Sequence, residues 1–366
     1  MIETRAPGKL YIAGEYAVVE PGHSAVLVAV DRYLTVRLTP SSDMGRVHSR
    51  RYGHGPVTWV RDDSERIVVE HSPFDYVTAA ITLMERLRSE RGLAPRYFDL
   101  WIDSELDDMS GRKFGLGSSA AVTVAVIDAL NRFYGMALNR TQRFRLALLA
   151  TIQVAPTASG GDVAASTFGG FLAYTSPDRD ELHGLARTHG VEEMLTVPAW
   201  DLCRIQPLPD LAGLHLLVGW TGSPASTEQL VDRVRMTPDD LDAHYAAFLA
   251  HSRVAVEELI GAWDRDPDTV LAVIRRCRRL LQHLGSLRGT VIETSQLRTL
   301  CDLAEAGGAA AKPSGAGGGD CGIVLIPEDA DQDVFLDAWA ASGILRLELE
   351  PHPAEAATGD LSGTVA

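Results

Sequence analysis

The chain lacks the features that mark several common function classes. It has no block of basic residues, and its formal net charge is −15. A nucleic-acid partner is therefore not expected. Cysteine is scarce: Cys203, Cys277, Cys301 and Cys321 are the four, scattered and without metal-ligand spacing. At 366 residues the length also argues against a disulfide scaffold. No uninterrupted apolar run is long enough to span a bilayer, and the stretch from Met1 to Pro7 has no apolar core of a signal peptide. The expectation is a cytoplasmic protein without membrane association. Because acidic residues dominate, an anion site has to be built locally from Lys, Arg and backbone N–H groups. The length and 46% hydrophobic content allow a large core, in two domains.

Glycine, by contrast, is plentiful at 33 residues, and much of it falls in short segments beside Ser, Lys and Asp. The central one is Gly115-Leu116-Gly117-Ser118-Ser119-Ala120-Ala121, preceded by Arg112, Lys113 and Phe114. Serine is a favoured helix N-cap, and the apolar run that follows, closed by Gly135, predicts a buried helix. A glycine turn feeding a helix N-terminus offers free N–H groups and the positive end of a dipole, which suits a phosphate. An ordinary helix cap fits the same residues, and the pattern is not that of a P-loop. The first segment, Ala6 to Gly22, places Lys9 after a Pro-Gly turn, where it is either a surface residue or a charge aimed into a cleft. In the segment from Pro156 to Gly170, Asp162 either caps a short helix or is a carboxylate on a turn. The last segment, Lys312 to Ile326, contains a formal G-x-G-x-x-G, but a strand follows it where a dinucleotide site needs a helix. A glycine loop closing over a ligand is the better functional reading, and a long β-turn is the alternative.

Between these segments, alternation predicts strands at 24–30, 33–39, 57–60, 67–70 and 98–102. Helical spacing predicts helices at 74–91, 141–153, 267–284, 293–306 and 333–342, and Thr237-Pro238-Asp239-Asp240 reads as a helix start. Residues 176–199 read as an irregular excursion, 214–220 and 344–350 as strands, and 275–279, rich in Arg, as a solvated helix face. The chain crosses Pro and Gly residues near 208–213, which places domains at 1–210 and 211–350, with a flexible tail over 351–366.

Taken together and in this order, the segments resemble the GHMP small-molecule kinases, the family of galacto-, homoserine, mevalonate and phosphomevalonate kinases. The resemblance covers nearly the whole chain. Ala6 to Val18 resembles the family's first motif, Gly115 to Ala121 its second and Lys312 to Asp320 its third. Gly14-Glu15-Tyr16, Lys113 and the turn from Trp220 to Thr227 resemble the phosphomevalonate kinase branch, where mevalonate kinases usually carry Gly-Glu-His. The resemblance implies an α+β fold: an N-terminal ribosomal protein S5 domain 2-like domain and a C-terminal ferredoxin-like domain, with substrates between them. It implies ATP and Mg²⁺, with phosphomevalonate as the acceptor, in a monomer or homodimer. Gly115, Leu116, Gly117, Ser118, Ser119 and Ala120 would wrap the ATP phosphates. Lys9, Lys113 and Asp162 would act on the reacting groups, with Ser119 and Asp162 at the metal. Lys9, Tyr16, Ser159, Ser226, Thr227, Ser314, Gly315 and Ala316 would contact the acceptor. One departure is the stretch Ala150 to Val154, which has no acid where mevalonate kinases carry a metal-binding Glu. Mg²⁺ commonly rests on few protein ligands plus substrate phosphates, so the reading survives it. A mevalonate kinase and a non-catalytic metabolite sensor on the same scaffold are the alternatives.

Overall fold

The computed structural model describes residues 1–50, 55–69, 75–108, 110–223, 230–231, 234 and 242–354. Its first layer is an eight-stranded sheet of β1 (Ile2–Ala13), β2 (Ser24–Ser41), β3 (Gly45–Ser49), β4 (Val57–Arg61), β5 (Ile67–Val69), β6 (Tyr97–Ser104), β7 (Phe171–Thr175) and β8 (Arg204–Leu208). The order is β5-β4-β3-β6-β2-β7-β8, with β1 on β2, and only the β3–β6 pair is parallel. The two strands predicted over 24–39 are one strand of 18 residues. Asp31 and Arg32, which interrupt its apolar pattern, fall where the register shifts from Pro7↔Tyr33 to Gly8↔Val30. A bulge bends a strand there without ending it.

Helices α1 (Tyr76–Glu90), α2 (Ser118–Tyr134), α3 (Arg140–Val154) and α4 (Gly161–Phe168) pack together, with α2 and α4 against β1 and β2. Local chemistry sets their ends. Asp75 with Thr78, and Asn139 with Gln142, form reciprocal capping boxes, and Gly135 closes α2 in the left-handed region at φ 62°. Along α2 the side chains of Ala121, Val122, Ala125, Val126, Ile127, Ala129 and Leu130 are buried, so this helix is core on most of its surface. The segment expected to be irregular, 176–199, holds two short helices, α5 (Arg179–Leu185) and α6 (Val191–Met194). Buried Leu182, Val191, Met194 and Trp200 tie it to the core. Each helix is only one or two turns long, too short for a helical period to stand out in the sequence.

The second sheet comprises β9 (Leu214–Trp220), β10 (Ala310–Pro313), β11 (Cys321–Pro327) and β12 (Leu345–Leu347), antiparallel in the order β10-β11-β9-β12. Helices α7 (Asp242–Ala262), α8 (Pro267–Arg288) and α9 (Ser295–Ala306) intervene between β9 and β10, and α10 (Asp333–Ala341) between β11 and β12. That chain order and strand order are ferredoxin-like. The predicted helix start at 237–240 lies outside the described residues. The arginines of α8 are only in part a solvated face: Arg279 is exposed, but the others have partners. Arg278 is buried against Glu293, Asp302 and Glu305, Arg276 pairs with Glu258, and Arg275 donates to the carbonyls of Gly308 and Ala309. Nor does the chain fray at Pro351. Pro351 bridges Val30, the N–H of His352 donates to Ala29 O, and the N–H of Gly170 donates to His352 O. The remaining tail residues, 355–366, lie outside the described residues. Among the described residues, no helix is long and apolar enough to cross a membrane.

Candidate active site

The site begins where β1 passes the start of α2. The Lys9 N–H donates to Leu116 O at 2.9 Å, and its Nζ donates to Gly115 O at 3.1 Å. The side chain is buried, and its stem crosses Gly117, where a Cβ would lie 2.9 Å from Lys9 Cε. That close approach explains a departure from expectation. Neither serine caps α2; the N-cap is Gly117 at φ 80°, without a side-chain hydrogen bond, and Ser118 is the first helical residue. A serine at the cap would collide with the lysine stem and would have to adopt a left-handed backbone. The first turn of α2 therefore presents backbone N–H groups that no cap side chain satisfies, beside an ammonium group, as an anion site requires. Ala120 lies in that first turn and is buried.

Lys113 is exposed and bridges Asp107 through its backbone just ahead of the loop. The chain has only three lysines among 34 basic residues, Lys9, Lys113 and Lys312, and each falls in or beside a glycine segment. From the second domain, the Asp320 side chain lies over the bare α-carbon of Gly115. Its peptide is held by Ser223 O on one side and by the N–H and hydroxyl of Thr221 on the other. Cys321 Sγ donates to Phe114 O, and burial pushes that thiol well above the usual range.

A second group of contacts forms around Tyr11. Its hydroxyl is 2.8 Å from Ser159 Oγ. Burial raises this phenol far above its ordinary pKa, and the nearby negative charge of Asp162 adds to the shift. Asp162 sits in the first turn of α4 and accepts from the N–H of Val163 at 3.0 Å. It does not cap the helix, because Gly160 occupies the N-cap. Ser314 Oγ accepts from the N–H of Tyr11 at 2.9 Å and donates to Tyr11 O at 3.0 Å, which leaves that oxygen one lone pair for any ligand. Tyr16 donates its hydroxyl to Ala316 O at 2.6 Å.

Both groups face one cleft of about 360 Å³. It is lined by Lys9, Tyr16, Lys113, Gly115 through Ser119, Ser159, Asp162, Ser314, Gly315 and Ala316, which brings together most of the residues singled out in the sequence. Ser226 and Thr227 lie outside the described residues. Tyr11, Glu15 and Asp320 also line the cleft; the sequence reading placed them within the motifs but gave them no role in the site. The scarcity of lysine was a usable signal for this region, and membership of the first and third motifs was the signal for the three others. Among the described residues, no three His, Cys, Asp or Glu side chains form a metal cluster. The donors at hand, hydroxyls and the carboxylates of Asp162 and Asp320 beside a phosphate-binding turn, suit a hard cation carried largely by phosphate oxygens.

Comparison with known proteins bears on the same cleft. The model of the GHMP kinases N terminal domain matches residues 75–170, and that of the GHMP kinases C terminal matches 255–345. A phosphomevalonate kinase of Streptomyces sp. (strain CL190) is 43% identical over 364 residues, covering 96% of this chain and 97% of that protein. A mevalonate kinase of Thermococcus sibiricus (strain DSM 12597 / MM 739) is 28% identical, over 88% of each chain. The crystallised Streptococcus pneumoniae phosphomevalonate kinase in complex with phosphomevalonate and AMPPNP superposes with a TM-score of 0.84 at 27% identity, covering 96% of this chain and all of that one.

Proposed function

The chain belongs to the GHMP kinases, and from that premise we propose that it transfers the terminal phosphoryl group of ATP to (R)-5-phosphomevalonate. The products are ADP and (R)-5-diphosphomevalonate, in the mevalonate route to isoprenoids. The observation that carries this reading is the buried Lys9 ammonium set across the uncapped N-terminus of α2. Nearly full-length similarity to a phosphomevalonate kinase supports the choice of acceptor.

The attacking atom is then a phosphate oxygen. A phosphate monoester loses its second proton near pH 6, so at neutral pH the nucleophile is largely ionised already. The larger problem is bringing two anions together. Two unit charges about 4 Å apart repel by about 4 kcal/mol at an effective dielectric of 20. Lys9, Lys113 and the N–H groups of α2 offset that repulsion and stabilise charge on the transferring group. Mg²⁺ would be held by Asp162 and Ser119 together with the ATP phosphates, and there it supplies further neutralisation of phosphate charge. Asp162 orients its partners, with proton removal secondary. Ser159, Ser314, Gly315 and Ala316 border the acceptor, and Ser226 and Thr227 are assigned to it from the sequence pattern alone.

The test is a coupled ADP-release assay offering phosphomevalonate, mevalonate, homoserine and galactose side by side. Phosphomevalonate should be preferred by orders of magnitude. ADP release with mevalonate but not with its phosphate would replace this reading with that of a mevalonate kinase, and none with any acceptor would favour a metabolite sensor.

A further inference from the structure

The third lysine does not reach a substrate-binding position. Lys312 is fully buried at 0% exposure, and its Nζ donates to Glu15 Oε1 and, at 2.7 Å, to Pro313 O. The Gly315 N–H approaches the same Glu15 oxygen at 3.4 Å. The next residue along, Tyr16, donates its hydroxyl to Ala316 O at 2.6 Å. Two adjacent side chains of the first glycine segment thus grip the last, some 300 positions away in the chain.

The backbone that presents them is strained. Tyr16 has φ 61° and ψ −49°, values that a bulky non-glycine residue rarely adopts. The N–H of Ala17 closes the turn onto Glu15 O at 2.7 Å, which makes it a γ-turn of the rare positive-φ form. Strain of this kind persists only where the surroundings over-determine it, and it collects at working sites.

The choice of cation fits the same role. This chain uses Arg for nearly all its positive charge. Arg278, also buried in the second domain, takes three carboxylates around its wide fork. Position 312 holds instead a compact ammonium, a point charge fully buried on one carboxylate and one carbonyl.

We propose that Glu15, Tyr16 and Lys312 form a clasp that sets Ser314, Gly315 and Ala316 against the Tyr11–Ser159 end of the cleft, and that the three are positioning residues for the phosphorylated acceptor rather than for ATP. The role rests on reading the cleft as a kinase site, with the ATP phosphates at Gly115 to Ser119. The clasp itself is separable from that reading.

Two variants of the full chain test it. Tyr16→Phe keeps the ring in its apolar cluster and removes one hydrogen bond; Glu15→Gln keeps the shape and removes the charge. Amide hydrogen exchange of peptides spanning 314–319 should quicken by about fivefold in Tyr16→Phe, the scale of one lost hydrogen bond, and by more in Glu15→Gln, with β11 unchanged. The KM for phosphomevalonate should rise by about fivefold in Tyr16→Phe while the KM for ATP stays within about twofold. Exchange across 314–319 equal to wild type in Tyr16→Phe would overturn the clasp whatever the activity. Faster exchange with both KM values rising together would overturn its selectivity for the acceptor. If Glu15→Gln does not fold, Tyr16→Phe decides alone. Wild-type protein that releases no ADP while the variants exchange faster would remove the kinase reading and leave the clasp standing.

Discussion

Replacing Lys9 by Met removes one positive charge from the mouth of the phosphate loop and little else. The residue is 8% exposed, and its Nζ makes a 3.1 Å hydrogen bond to Gly115 O. Met has a similar length and suits the apolar passage along Gly117. A unit charge about 4 Å from a phosphate oxygen contributes about 4 kcal/mol at an effective dielectric of 20, which converts to a rate effect of roughly a thousandfold. The lower bound is one charge-assisted hydrogen bond, about 1.5 kcal/mol or tenfold. The expected loss in kcat/KM for Lys9→Met thus lies between about tenfold and a thousandfold. Stability should change by no more than about 1 kcal/mol, because losing the ammonium–carbonyl bond is offset by no longer burying a charge. Steady-state ADP release and a thermal melt on the same preparation separate the two effects. Turnover within about threefold of wild type would refute the electrostatic argument, as would a loss that tracks a large fall in Tm. Lys9→Arg should not rescue, since the bare Gly117 passage admits a methylene stem but crowds a guanidinium.

Three further outcomes follow from the same geometry. Gly117→Ala combines a left-handed backbone with a clash 2.9 Å from Lys9 Cε, whereas Gly22→Ala has φ 75° and open space around it. Both should lose about 1–2 kcal/mol from backbone strain, but only Gly117→Ala should also weaken ATP binding, by at least about tenfold; equal ATP affinities in a titration would refute the clash. Asp162→Asn should lower the rate without a large shift in the pH–rate profile, and loss of the acidic limb would identify a base instead. Burial pushes the Cys277 thiol up to about 12, so at pH 8 only about one in ten thousand is thiolate and native protein should resist alkylation there. The unfolded chain releases that proton near pH 8.5 and the folded chain holds it until about 12. This contribution to stability is present below about pH 8.5 and declines as pH rises, by at most about 1.4 kcal/mol per unit. Urea midpoints from pH 7.5 to 9.5 should therefore fall less steeply in Cys277→Ala, and identical slopes would contradict the assignment.

What could be read without coordinates was the local and the repetitive. The stop at Gly135 marked its boundary directly, whereas the reciprocal caps of Asp75 with Thr78 and Asn139 with Gln142 emerged only with the structure and moved those helix starts by one or two residues. Period-2 and period-3.6 patterns located most strands and helices, and three glycine segments in order pointed to a kinase family. Interruptions in a pattern were harder to interpret. Asp31 and Arg32 look like the end of a strand but sit in a bulge of a continuous one, because pairing to β1 carries the backbone past them.

The amino-acid sequence by itself determined most of the elements, the family and the three motif turns that border the cleft. Only the tertiary structure decided which atoms meet there. It put Gly117 rather than a serine at the cap of α2, tied Ser314 to the backbone of Tyr11, laid Asp320 over Gly115 and closed Glu15 and Tyr16 onto the last glycine segment. These contacts join residues separated by a hundred to three hundred positions. Periodicity and capping act over one or two turns of chain and carry no information at that range. Such pairings are set by which faces the two sheets and their helices bury when they pack.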